Sequence, residues 1–136
     1  MKTTMKLMLM LLVVASMMNL SSCKKNSQIV GKWKCTDDVI IEGDHQFTET
    51  HSIGQIWEFK ENGELFKEGE LSAFSYSIEG NNLTISETVT MMPNGTQLLS
   101  QTATIQMLTD SQLSFSFEYQ GNGEMTVSRN MDFTRP

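Results

Sequence analysis

From Ile29 onward, the apolar residues of this chain recur with a period of two. Leu113-Ser114-Phe115-Ser116-Phe117-Glu118-Tyr119 alternates without a break. In the last segment Met125, Val127, Met131 and Phe133 alternate with Thr126, Ser128, Asn130, Asp132 and Thr134. Successive side chains of an extended strand point to opposite faces, so this alternation predicts strands with one buried and one wet face. No helical stripe competes with it. Turn signals cut the remainder into similar lengths. Glu61-Asn62-Gly63 separates strands over 55–60 and 64–68, and Gly80-Asn81-Asn82 separates 72–78 from 83–90. Pro93-Asn94-Gly95 precedes a long strand over 96–108, Thr109-Asp110-Ser111 follows it, and Gly121-Asn122-Gly123 opens the last one. Asn and Gly tolerate the positive φ that tight hairpins require.

With a strand over 29–36 and a ragged one somewhere in 39–52, the count is about eight. Short, evenly spaced antiparallel strands joined by hairpins make a sandwich or an up-and-down barrel. Parity assigns Ile29, Trp33, Cys35, Trp57, Phe59, Phe74, Tyr76, Ile78, Leu83, Ile85, Ala103, Ile105, Met107, Leu113, Phe115, Phe117, Tyr119, Met125, Val127, Met131 and Phe133 to the interior. Lys, Ser, Thr, Glu and Asn cover the other face. A transmembrane barrel inverts this pattern, with its apolar side outward, so the strands predict a barrel for water.

The first 22 residues have a different logic. Lys2 and Lys6 form a basic head, residues 7–18 are apolar and uncharged, and Leu20-Ser21-Ser22-Cys23 follows. That order predicts a signal peptide, with an apolar run too short to span a bilayer comfortably. Leu20-Ser21-Ser22-Cys23 resembles the lipobox of bacterial lipoproteins. The resemblance implies cleavage before Cys23, a diacylglyceryl thioether on its sulfur and palmitate or another acyl chain on its amine. Several chains together hold a protein on a bilayer far better than one. Residues 1–22 are thus read as signal peptide, 23–28 as a polar tether and 29–136 as one domain. Lys24 is not the aspartate that retains many lipoproteins at the inner membrane. Lys24-Lys25-Asn26-Ser27 also lacks the acidic residues typical of surface-exported lipoproteins. The expectation is an outer-membrane anchor with the domain facing the periplasm.

The signal removes two of the ten Lys and Arg and none of the sixteen acids, so the remainder carries −8. An acidic surface disfavours nucleic acid and anionic lipid head groups as partners. With Cys23 acylated, Cys35 has no intramolecular disulfide partner, and the core must stand by packing.

Ile29-Val30-Gly31-Lys32-Trp33 opens the first strand, and here the chain resembles a lipocalin. Lipocalins begin with Gly-x-Trp, close an eight-stranded antiparallel barrel and end with a basic residue against the tryptophan. Gly31, Trp33 and Arg135 fit those places. The chain is most similar to the small lipocalin-like lipoproteins of Bacteroidetes. These carry an aromatic strand ending in Asn-Gly (here Ile56-Trp57-Glu58-Phe59-Lys60-Glu61-Asn62-Gly63) and a Tyr-x-Ile, turn, Leu-x-Ile series (Tyr76-Ser77-Ile78, then Leu83-Thr84-Ile85). The fold class expected is therefore all-β, an eight-stranded, lipocalin-like up-and-down barrel. The chain is shorter than full-length lipocalins and lacks their flanking helix and Thr-Asp-Tyr-like middle motif.

Arg129 shares the inward parity of Met125, Val127, Met131 and Phe133. A buried guanidinium needs a carboxylate, carbonyls or an aromatic face. It either anchors an acidic or polar ligand inside the barrel, or is re-aimed by a bulge or wetted at the mouth. Arg135 over Trp33 would be a cation–π contact sealing the barrel. His45 and His51 share a face near Asp44, but a zinc site needs three or four converging ligands, so no metal is expected. The serines sit on wet faces, the acids are scattered and outward, and Cys35 reads as a small hydrophobe. No enzyme, cofactor or nucleic-acid partner is expected, and the domain reads as a monomer.

Two functions remain. One is a carrier or sensor holding a small apolar or amphipathic ligand against Trp57, Phe59, Tyr76, Phe115, Phe117, Tyr119 and Arg129, because eight strands enclose either one small ligand or only side chains. The other is a filled barrel whose loops, Gly43–Ser52 and Met91–Gly95, bind a protein or glycan or inhibit a protease. An internal void of a few hundred Å³ would favour the first.

Overall fold

The computed structural model describes residues 24–93, 95–120 and 125–136. Residues 1–22, read above as a signal peptide, Cys23, Asn94 and residues 121–124, which include the expected Gly121-Asn122-Gly123 turn, lie outside the described residues. Nine strands form one antiparallel sheet: β1 (Gly31–Glu42), β2 (His45–Thr48), β3 (Ile56–Phe59), β4 (Glu64–Lys67), β5 (Ala73–Glu79), β6 (Asn82–Met91), β7 (Gly95–Leu108), β8 (Gln112–Gln120) and β9 (Thr126–Thr134). Each strand from β3 to β9 pairs with the next, and β9 returns to β1, from Lys34↔Thr134 to Glu42↔Val127. β1 offers its other edge to two partners, β3 along Gly31–Lys34 and β2 along Val39–Glu42. Eight strands thus close the barrel and β2 extends the β3 side. The fold class read from the sequence holds. The ragged strand expected over 39–52 resolves into the second half of β1, then β2, then a loop. That loop is tied to β1 by Gly54 N–H to the Cys35 carbonyl (2.8 Å) and Cys35 N–H to the Gln55 carbonyl (2.9 Å).

The interior is filled. Trp33, Phe59, Phe115 and Phe133 are completely or almost completely buried, together with Ile29, Leu83, Leu113 and Met131. Rings touch rings through the middle: Trp57–Phe133 at 5.0 Å between centroids, Phe115–Phe133 at 5.3 Å and Trp57–Phe115 at 6.1 Å. Such contacts add to the burial of large apolar area. Leu65, absent from the parity set, is buried as well.

Two bulges overturn parity locally. In β1 the register slips between Cys35 and Asp37, so that Thr36 and Asp37 together face Asp132. Asp38 therefore points inward and is fully buried, against the expectation that every acid faces out. In β7 the slip falls between Ile105 and Met107. Leu108 turns in to pack on the core, and Met107, expected inside, is 46% exposed. An extra residue in one strand moves all that follows to the other face. Tyr119 and Met125, also expected inside, are exposed for another reason. Tyr119 lies past Ala103↔Phe117, where the described pairing of β7 with β8 ends, and Met125 lies just before β9 with its sulfur beside Gly43.

The two ends of the barrel differ. Turns β3–β4, β5–β6 and β7–β8 gather at one end, which residues 24–29 close as a short helix. The stretch read as a polar tether is, in its described part, this docked helix. Lys25 Nζ donates to the Gly80 carbonyl (3.3 Å) and to Asn81 Oδ1, and Ile29 is buried as a plug. The opposite end is the mouth.

Candidate functional site

At the closed end the three closure residues meet. Arg135 Cζ lies 3.8 Å from the Trp33 ring centroid. Its Nη2 donates to the Gln28 carbonyl (2.8 Å), with longer bonds to Lys32 and Asp110 carbonyls (both 3.4 Å). Trp33 Nε1–H donates to the Ile29 carbonyl at 2.7 Å. Gly31 has φ +115°, and a Cβ there would stand 2.5 Å from Arg135 Nη1, so only glycine lets the guanidinium reach the ring. This end is a structural seal.

The mouth holds the other polar cluster. Asp38, turned inward by the β1 bulge, receives Arg129 Nε on Oδ1 (2.8 Å) and Nη2 on Oδ2 (2.5 Å). Arg129 Nη2 also donates to Ser52 Oγ (3.2 Å), which the loop tied to Cys35 brings in. The fork satisfies both carboxylate oxygens, the geometry in which an Arg–carboxylate pair is strongest. Bonding to Asp38 raises the Arg129 pKa beyond its already high value. Lys67 faces in from β4, paired across the sheet with Trp57. Its Nζ sits 4.2 Å from the Trp57 ring centroid and 4.1 Å from that of Phe74. Burial is the main cause that lowers its pKa to about 8, with Glu70 and Glu87 opposing. Among the described residues no carboxylate is within ion-pair distance of Lys67.

Ser52, Trp57, Lys67 and Arg129 border a cavity of about 140 Å³, with Gln55, Glu70 and Gln101 adding polar groups and Ile85, Phe117 and Met131 an apolar floor. Trp57 lines it too, and its Nε1–H is the one buried side-chain polar atom without a partner among the described residues. Pockets for drug-sized ligands run from roughly 300 Å³ upward. The cavity therefore takes a compact molecule or the end of a longer one. Its donors outnumber its single carboxylate not already paired, that of Glu70.

Of the seven lining residues read from the sequence, Trp57, Phe117 and Arg129 reach this cavity. Phe59 and Phe115 lie fully buried in the ring stack below it. Tyr76 stands edge-on to Phe59 (4.9 Å) and donates to the Lys60 carbonyl (2.8 Å) towards the closed end. Tyr119 is 44% exposed and does not line the cavity. Sequence reasoning missed Lys67 and Asp38. The alternation Leu65-Phe66-Lys67 against Trp57 and Phe59 was the available signal for Lys67; Asp38 had none, because the bulge hides it. His45 and His51 are exposed on β2 and the following loop, and among the described residues no group of three or more potential metal ligands gathers. Cys35 is buried, and burial with the nearby Asp38 charge pushes its thiol up to about 11, which keeps it protonated at neutral pH.

Neither the curated proteins nor the solved structures compared with the chain gave a match. A family model described as a lipocalin-like domain matches residues 29–115, from the buried Ile29 to Phe115 at the barrel's centre. With a closed eight-stranded barrel, the Gly31–Trp33 opening and the Arg135 seal in place, the chain belongs to the lipocalin-like domain family.

Proposed function

We propose that this protein is a lipid-anchored binding protein, not an enzyme, that holds a compact amphipathic acid in the mouth of its barrel. One observation carries the reading. The Lys67 ammonium is held against two aromatic rings at a cavity that Arg129 also lines, with no carboxylate paired to it among the described residues. A desolvated cation of this kind gains most from an anion that reaches it. Trp57, Phe117, Ile85 and Met131 offer the apolar part of a ligand its surface. Among the described residues the interior is filled with side chains, which favours a seat at the rim over a deep calyx. Acylated Cys23 supplies the anchor, in the outer membrane with the domain in the periplasm.

Benzoate and its uncharged analogue benzamide are suitable probes, compact and nearly isosteric. Calorimetry should give benzoate at least about tenfold the affinity of benzamide, a difference of about 1.4 kcal/mol. Lys67→Met should remove that preference. The pH dependence has a defined sign. Bound anion favours protonated Lys67, so affinity is full below pH 8 and falls as pH rises through about 8, the pKa of the free protein. Equal binding of both probes, or none by either, would leave the filled-barrel interaction module as the better description. Native mass spectrometry of the protein from its own host would then look for the natural ligand.

A further inference from the structure

The β6–β7 hairpin is longer than the barrel needs. β7 pairs with β6 from Thr104 out to Gly95, but with β8 only from Ala103 inward. Among the described residues, therefore, no strand covers the edge of β7 over residues 96–102. Every residue of β7 from Gly95 to Thr102 is exposed, with Leu98 at 62% and Leu99 at 43%. Free edges are normally blunted by lysine, proline or a bulge, because their unpaired N–H and C=O groups are templates for another strand. This one carries none of these devices. No charged residue occurs from Thr88 to Thr109, although the chain as a whole is acidic.

The edge sequence is Thr96-Gln97-Leu98-Leu99-Ser100-Gln101-Thr102. It reads nearly the same in both directions about Leu99. We propose that the occupant of this edge is a second copy of the chain, its β7 running antiparallel about a two-fold axis at Leu99. Leu99 then stands opposite Leu99 of the copy, Gln97 opposite Gln101, Thr96 opposite Thr102 and Leu98 opposite Ser100. Like hydroxyls, like amides and paired leucines are favourable cross-strand neighbours, and a two-fold interface is self-complementary by construction. The charge-free edge is where two acidic copies approach with least repulsion. The register also separates the bodies. Ala103, where the barrel begins, lies eight residues from Gly95 at the arm's tip, about 27 Å of strand, so the two barrels fall at opposite ends of a four-stranded ribbon. The proposal replaces the monomer expected from the sequence and is independent of any ligand in the mouth.

Single cysteines read the register directly, because Cys35 is buried. Directly opposed residues of an antiparallel pair have Cα atoms about 4.5–5.5 Å apart, within disulfide reach. Leu99→Cys in the full chain, expressed in its host and mildly oxidised, should yield a covalent dimer on a non-reducing gel. Gln97→Cys alone should not, since the two cysteines would be roughly 14 Å apart along the strand. Mixed Gln97→Cys and Gln101→Cys chains should cross-link. Sedimentation of detergent-solubilised full chain should show dimer, with Leu99→Lys weakening it at least about tenfold by placing like charges face to face. Cross-linking of all single variants alike, or of none, overturns the proposal. So does a wild-type chain that sediments as monomer at every concentration.

Discussion

Gly31, Trp33 and Arg135 hold the closed end together through one contact that each supports differently. Gly31 leaves the space, Trp33 supplies the ring, and Arg135 covers it while bonding carbonyls of Gln28, Lys32 and Asp110. Trp33→Ala removes a fully buried aromatic side chain and should cost about 3–5 kcal/mol. Arg135→Ala should cost about 1–2 kcal/mol, from the cation–π contact and the carbonyls it leaves unpaired. Both changes delete the same contact, so the double variant should lose less than the sum, by about 1 kcal/mol. Urea unfolding of the four proteins in the cycle measures this coupling. A coupling of zero would mean that Arg135 and Trp33 stabilise the barrel independently.

At the scale of the element, the β1 bulge decides which of two adjacent acids faces the core. A regular strand would turn Asp37 inward after Cys35; the extra residue brings Asp38 in, opposite Met131. Asp38→Asn should therefore cost about 2–3 kcal/mol. That is below the roughly 3–5 kcal/mol of a fully buried pair, because the Arg129 side chain keeps 32% of its exposure. Asp37→Asn should stay within about 0.5 kcal/mol, as most surface changes do. Thermal or urea denaturation of the two variants ranks them, and the reverse order would mean a strand without the bulge. The same bulge makes the candidate site possible. Only with Asp38 inside can Arg129 be held rigidly at the cavity wall, fixed on a second side by Ser52.

For the whole molecule, the placement of residues 24–29 would set the orientation of an anchored protein. The helix over 24–29 is docked on the turn at Gly80 and Asn81, so Lys24 leaves the barrel at its closed end. An acyl anchor on Cys23 would then hold that end against the bilayer and turn the mouth and the β6–β7 arm away from it. Cys23→Ala should abolish incorporation of labelled palmitate and leave unprocessed precursor. Label in the Cys23→Ala protein would mean that the lipobox resemblance misleads. An outward-facing mouth suits capture of a solute, and outward-facing arms leave neighbouring anchored copies free to pair. Restriction to a surface would raise their effective concentration and favour even a weak edge contact.

The alternation of apolar and polar residues by itself determined that this chain is all-β, roughly how many strands it has and which residues fill the barrel. That is so because the two-residue period of a strand is a local property. Gly31, Trp33 and Arg135 were legible together through the resemblance to lipocalins, whose first and last strands are neighbours where the barrel closes. Parity failed where locality failed. At Thr36 and Gln106 a single extra residue reverses the faces, and no pattern in Thr36-Asp37-Asp38 marks it. At Tyr119 the alternation continues past Ala103↔Phe117, where the described pairing of β7 with β8 ends, and the residue is exposed. The size of the cavity was equally beyond the sequence. Nine of the eleven aromatic residues read as inward either way; whether they line a cup or fill it depends on how rings from β3, β8 and β9 interlock across the barrel. Tertiary packing chose a filled interior, and left a small polar chamber at the rim, because Trp57, Phe115 and Phe133 meet in the middle.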